Sequence, residues 1–231
     1  MTRGRVMLGA ALWISTVQFF AVEAIVGSRW TDPSYNYRIN TISSLGVTKC
    51  QNQGSLYICS PWHTAANTSC VIAGFCILIG ALLLAQAFPR DAAGRAGAWL
   101  YAASGAGLAV VGLDPDNLRG NLHAVGAITS LVGGDLALIL VGISLLRAGR
   151  WRQVAAIGLV LGAAGLVALP LMLVFQSSAE GVLERVAAYP IVAFYTVYGV
   201  ATARSVRVPA RVKLPQLGER GGGRQRVSQD S

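Results

Sequence analysis

Six long apolar runs, joined by loops that carry arginine, constrain this chain more than any other feature. Each run is long enough to cross a hydrocarbon layer, which takes about 20 apolar residues of helix. They fall near Val6–Val26, Thr64–Phe88, Ala96–Leu113, Leu122–Leu146, Val154–Phe175 and Leu183–Arg204. An unpaired backbone amide is costly in lipid, so only helices and closed barrels cross it. Barrel strands alternate over short segments, and uninterrupted runs such as Val71–Ala85 exclude them. The expected fold is all-α: a six-helix transmembrane bundle over residues 1–206 with a long first outer loop. A mean hydropathy of +0.54 and 13% charged residues are too apolar for an ordinary soluble domain.

The net charge of +9 does not point to nucleic acid, because the basic residues are not gathered into a duplex-sized patch. They mark one side of a membrane instead. Arg3, Arg5, Arg90, Arg95, Arg147, Arg150, Arg152 and seven more from Arg204 onward make 14. The opposite side holds five: Arg29, Arg38, Lys49, Arg119 and Arg185. The positive-inside rule then puts both termini in the cytoplasm, and the plasma membrane is the expected location. Residues 207–231, with Gly221-Gly222-Gly223 and two prolines, read as a disordered basic cytoplasmic tail. Val22-Glu23-Ala24 loosely resembles a leader cleavage site. The apolar stretch is long for a leader and carries Glu23, so a retained span is expected.

One loop, Gly27–His63, is long and rich in Ser, Asn, Tyr and Trp. Loops of this length fold over the mouth of a bundle or bind something there. Its aromatics Trp30, Tyr35, Tyr37, Tyr57 and Trp62 also suit the headgroup layer. Cys50 and Cys59 lie in this loop, and a disulfide joining them is expected in an oxidising compartment. Cys70 and Cys76 fall within the second run as packing residues. Gly126, Ser130 and Gly134, and Gly158 with Gly162, form small-residue faces suited to helix packing, with a homo-oligomer seam as the alternative use. Pro170 should free the carbonyl of Leu166 and kink its helix.

Polar residues in or beside hydrocarbon are few. Asp135 lies halfway along the fourth run, where a charged aspartate costs about 2.5–3.5 kcal/mol. It must face the interior, pair, or stay protonated; a hydrogen bond from a protonated Asp135 to a tyrosine of the sixth run is the plain expectation. A proton-linked small-molecule transport site is the sharper one. A second cluster gathers at the outer helix ends: Glu23, Ser43, Ser44, Ser60, His63, Asn67, Asp114, Asp116, Asn117, His123 and Glu184-Arg185. Histidine, carboxylate and serine together suit hydrolysis, and Ser43, His63, Asp114, His123 and Glu184 are the candidate catalytic set. The same residues also suit a satisfied hydrogen-bond network.

Tyr35-Asn36-Tyr37, Ile42-Ser43-Ser44-Leu45-Gly46, Ser60-Pro61, Asn67, Gly112-Leu113-Asp114-Pro115-Asp116-Asn117, His123 and Glu184-Arg185 occur in an order that resembles the domain-of-unknown-function 998 family. The resemblance spans residues 6–204. It implies a multi-pass membrane protein of bacteria or archaea and no mechanism. An excess of arginine over lysine, 17 against 2, fits a bacterial chain from a GC-rich genome. More distantly, the serine, aspartate and histidines are similar to those of alkaline-ceramidase-like and adiponectin-receptor-like membrane hydrolases. Those place three histidines on zinc, and this chain has only two, so no metal or cofactor is expected.

Three functions follow: a lipid-active enzyme at the outer leaflet, a proton-linked transporter using Asp135, or a non-catalytic scaffold. The expected partners are the lipid bilayer and a lipid headgroup or other small molecule. The enzyme needs His123 and Asp114 within hydrogen-bond reach of each other and of a cavity. A tightly packed core around Asp135 counts against transport.

Overall fold

The structure, a computed structural model, describes residues 2–118, 121–176 and 178–207. Among them are six helices long and apolar enough to cross a membrane. The first is broken in two, α1 (Arg3–Ser15) and α2 (Gln18–Gly27). The break sits where the Thr16 hydroxyl donates to the Trp13 carbonyl at 2.6 Å and competes with the helix ladder. The others are α3 (His63–Leu84), α4 (Ala92–Leu113), α5 (Asn121–Arg147), α6 (Arg152–Val174) and α7 (Glu180–Arg207). Successive helices pack on one another, and α7 returns against α1 to close the ring. The bundle is a multi-pass membrane protein.

Boundaries differ from the hydropathy reading where local chemistry intervenes. α3 stops at Leu84 rather than at Phe88, and a turn carries the chain to Phe88, where the following Pro89 disfavours helix. α4 starts at Ala92, capped by Asp91, whose Oδ1 accepts from the Gly94 amide at 2.8 Å. The Ser144 hydroxyl of α5 bonds the same carboxylate, and with the Gly94 amide it holds Asp91 below the ordinary carboxylate range. Both Pro170 in α6 and Pro190 in α7 lie inside uninterrupted helices. The tail expected from 207 lies, beyond Arg207, outside the described residues.

The core is centred on Trp13. Its ring stands 4.9 Å from Tyr195, 5.5 Å from Tyr198 and 5.6 Å from Tyr101, centroid to centroid. Its Nε1 donates to the Ile77 carbonyl at 3.1 Å. The small-residue faces are used within the chain. A Cβ at Gly126 would stand 2.9 Å from the Gly107 carbonyl, and one at Gly162 would stand 2.7 Å from the Asp135 carbonyl. These are the close helix approaches that small residues permit. The opposite flank of α6, with Val160, Val167 and Leu173, stays exposed as a surface for lipid.

At one end of the bundle the Gly27–His63 loop folds over the helices; we call this the loop end. Trp30 and Tyr35 are buried there among Val26, Leu45, Val47 and Ile58, whereas Tyr37, Tyr57 and Trp62 are exposed. A 3₁₀ turn, Ser43–Gly46, is wedged between the helix ends. A short antiparallel hairpin, β1 (Gln51–Gln53) and β2 (Leu56–Ile58), follows it. Cys50 and Cys59 are disulfide-bonded at its base, their Cα atoms 4.1 Å apart.

Candidate functional site

Two buried polar systems meet at the loop end. The first is built on Arg185, one turn into α7. Its guanidinium forms an ion pair with Glu23 of α2 at 2.8 Å. Its remaining hydrogens go to the carbonyls of Tyr37 and Asn40 at 3.0 Å, to the Gly181 carbonyl at 2.7 Å and to the Tyr35 hydroxyl. Tyr189, one turn further along α7, donates to Glu23 at 2.9 Å. Arg185 therefore has every donor engaged and clasps the long loop to α7. Burial pushes the Tyr35 phenol above its ordinary range, and its hydroxyl donates to the Thr41 carbonyl at 2.8 Å.

The second system lies beneath the 3₁₀ turn. Glu184 receives the Ile42 amide on one oxygen, and its other oxygen stands 3.3 Å from the Ser43 hydroxyl. On its other side the Ser43 oxygen is 3.0 Å from Nε2 of His123, at the start of α5. Nδ1 of that ring lies 2.8 Å from the Asp114 carbonyl. A carbonyl only accepts, so Nδ1 carries a hydrogen, and a neutral ring then accepts at Nε2. The single Ser43 hydrogen therefore has two acceptors within reach, Glu184 at 3.3 Å, to which it donates here, and His123 Nε2 at 3.0 Å. Asn67 of α3 holds the far end of the turn, donating to the Gly46 carbonyl at 2.8 Å. Position 46 has no room for a Cβ, which would fall 2.2 Å from the Asn67 side-chain oxygen.

Ser43, His123 and Glu184 line one chamber of about 60 Å³, together with Phe19, Leu45, Cys70 and Leu108. That volume holds a few atoms the size of water. Directly below it is an apolar slot of about 40 Å³, with Phe19, Leu108, Leu131 and Ala188 lining both. To the side, an open groove between α2 and α3 shares Val22 and Ser69 with the chamber.

The family-model comparison matches a protein of unknown function, DUF998, over residues 10–201. The chain belongs to the DUF998 family. No curated protein and no solved structure matches it. The match reaches into all six spans and includes every residue of both polar systems, so the site is a feature of the part of the chain that belongs to the family.

Of the five candidate catalytic residues, the structure brings together Ser43, His123 and Glu184 as side chains. Asp114 joins through its backbone carbonyl, and its buried Oδ2 has no hydrogen-bond partner among the described residues. His63 is not part of the site. Its Nδ1 faces the Ser60 carbonyl at 3.0 Å, and its ring lines a separate groove with Thr48 and Thr64. No cluster of three potential metal ligands occurs among the described residues.

Asp135 also departs from expectation. It is fully buried, and neither oxygen has a hydrogen-bond partner among the described residues. The tyrosine expected to meet it does something else: Tyr195 donates to Ser104 at 3.2 Å, and Ser104 donates to the Ser130 carbonyl at 2.8 Å. The Asp135 carboxyl instead occupies a notch at Gly165 of α6, where a Cβ would lie 2.2 Å from Oδ2.

Sequence reasoning missed Tyr189 altogether, although Arg185 and Tyr189 are four apart and so share a helix face. Gln18 was also passed over; it exchanges hydrogen bonds with Ser69 across α2 and α3, accepting from its hydroxyl at 2.9 Å. Nothing in its surroundings marks it, since a lone glutamine in an apolar run has no periodic signal.

Proposed function

We propose that this protein is a membrane enzyme that cleaves or transfers an acyl ester of a lipid, with Ser43 as nucleophile and His123 as general base. One observation carries this reading: a part-buried serine–histidine pair at 3.0 Å, its tautomer set by the Asp114 carbonyl, opening into an apolar chamber. Nucleophilic catalysis needs a base within hydrogen-bond reach of the nucleophile and a third group orienting that base. Ser43 Oγ attacks the ester carbonyl as His123 Nε2 takes its proton. The carbon–oxygen bond to the alcohol breaks, and that alcohol leaves with the proton returned by His123. Water, or a second alcohol, then takes the acyl group from Ser43 with His123 again as base. Glu184 positions Ser43 by holding the Ile42 amide at the head of its turn.

The distribution of basic residues supports placing the loop end outside and both termini in the cytoplasm. The side groove between α2 and α3 then opens toward the outer leaflet, from which a lipid would enter. Transport through Asp135 has less support, since that carboxyl lines neither the chamber nor the slot.

The test is labelling of membranes with an alkyl fluorophosphonate, which reacts with activated serines. Wild-type protein is expected to label at Ser43, and Ser43→Ala to lose all label. His123→Ala, inserted at normal level, should label at least about 100-fold more slowly, as a lost general base requires. A folded wild type that leaves Ser43 unlabelled would sink the enzyme and favour the scaffold. For orientation, Lys49→Cys should react with an impermeant maleimide in intact cells, and protection there would reverse the topology.

A further inference from the structure

We infer that the apolar slot beneath Ser43 receives the acyl chain of the substrate and limits it to short length, about four carbons. The inference rests on Ser43 being the acyl acceptor, as proposed above. Chamber and slot together offer about 100 Å³ of space. A dry cavity of about 150 Å³ holds benzene, which is about 25 Å³ for each carbon, so this accommodates roughly four chain atoms.

The walls fit a hydrocarbon. Ile77, Leu108, Leu131, Ile191 and Val192 line the slot. The chamber runs from His123 to Ser130, seven residues along α5 and hence about 10 Å, and at Ser130 it adjoins the slot. The floor of the slot is polar and closed. Tyr195, with no exposed surface, donates to Ser104, which donates to the Ser130 carbonyl. A longer chain has to break both bonds and displace the packed rings around Trp13. Dense interiors do not give way to extra methylenes without loss. Ala188 stands at the neck, lining chamber and slot alike, and a larger side chain there would close the passage.

The experiment measures turnover of a series of p-nitrophenyl esters, from acetate to palmitate, by the full chain in detergent micelles. A short-chain fluorophosphonate reports in parallel on Ser43. Wild type should peak at butyrate and lose at least about tenfold by octanoate, since even one surplus methylene in a closed pocket can cost that much. Ala188→Phe should move the peak to acetate. Ile191→Ala should lengthen the slot and move it to hexanoate or beyond. Labelling of Ser43 in each variant shows that it is folded, and Val192→Ala serves as a second lengthening variant. A flat profile, or a peak at octanoate or longer, with Ser43 still labelled overturns the chain-length inference and leaves the nucleophile standing. Absence of label on folded wild type removes the nucleophile, and this inference with it.

Discussion

Glu23 and Asp135 are both buried carboxylates on membrane-spanning helices, and the fold treats them in opposite ways. Glu23 is tied by an ion pair to Arg185 and by Tyr189, whose hydroxyl donates to the carboxylate and lies 2.9 Å from each of its oxygens. Asp135 has no hydrogen-bond partner among the described residues and is accommodated by shape, in a notch made by Gly165. At Glu23, desolvation is offset by a network that also orders the loop over the site. At Asp135 the helices merely leave room. The contrast separates a polar group on which other elements depend from one on which none of the described hydrogen bonds rests.

Removing the partner at the first site should have the largest effect. Arg185→Met leaves Glu23 buried and alone and releases the clasp on the loop. A loss of about 3–5 kcal/mol is expected, as for other broken buried pairs, read as reduced resistance to unfolding in detergent. Wild-type stability in this variant would mean that the clasp is dispensable. The notch comes next. Gly165→Ala drives a methyl into the Asp135 carboxyl and should cost about 1–3 kcal/mol by overpacking. Adding Asp135→Ala to that variant should recover most of the loss; additive losses would mean the two residues do not act together.

Asp91, at the opposite end of the bundle, offers a milder comparison. Its carboxylate is held below its ordinary value by Ser144 and the Gly94 amide, so its contribution is complete above about pH 4. That contribution fades as pH falls through the lowered folded-state value. Asp91→Ala should lose about 1 kcal/mol at neutral pH, the usual worth of a cap. The difference from wild type should shrink in acid, and a gap that is constant with pH would contradict this. The smallest change belongs to Asp135→Asn. It keeps shape and removes no hydrogen bond found among the described residues, so a shift under about 1 kcal/mol is expected. A large loss would reveal a partner for Asp135 and narrow the contrast with Glu23.

Much of the site was legible because of how a membrane bundle is strung. Alternating helices bring every second loop to the same end, so Ser43, Asp114, His123 and Glu184 had to share a depth. Depth alone does not say which of them touch. Asp114 shows the difficulty: at the end of α4 its φ of −127° and ψ of 81° turn the chain, and its carbonyl meets His123. Backbone groups of this kind have no signature in side-chain pattern. His63 shares that depth too, but its ring faces the Ser60 carbonyl and a different groove. Asp135 lies in the interior, and its neighbour was not foreseeable, because the tyrosine is already committed to Ser104.

The sequence by itself determined the six spans, their helicity and the end at which polar residues collect. Lipid demands apolar length and paired backbone groups, and both are local properties of a chain. Only the tertiary structure decided that Ser43 lies between His123 and Glu184, that Arg185 clasps the loop, and that a slot continues beneath the serine. These depend on how each helix is rotated about its axis, and that rotation is set where glycines let neighbouring backbones approach.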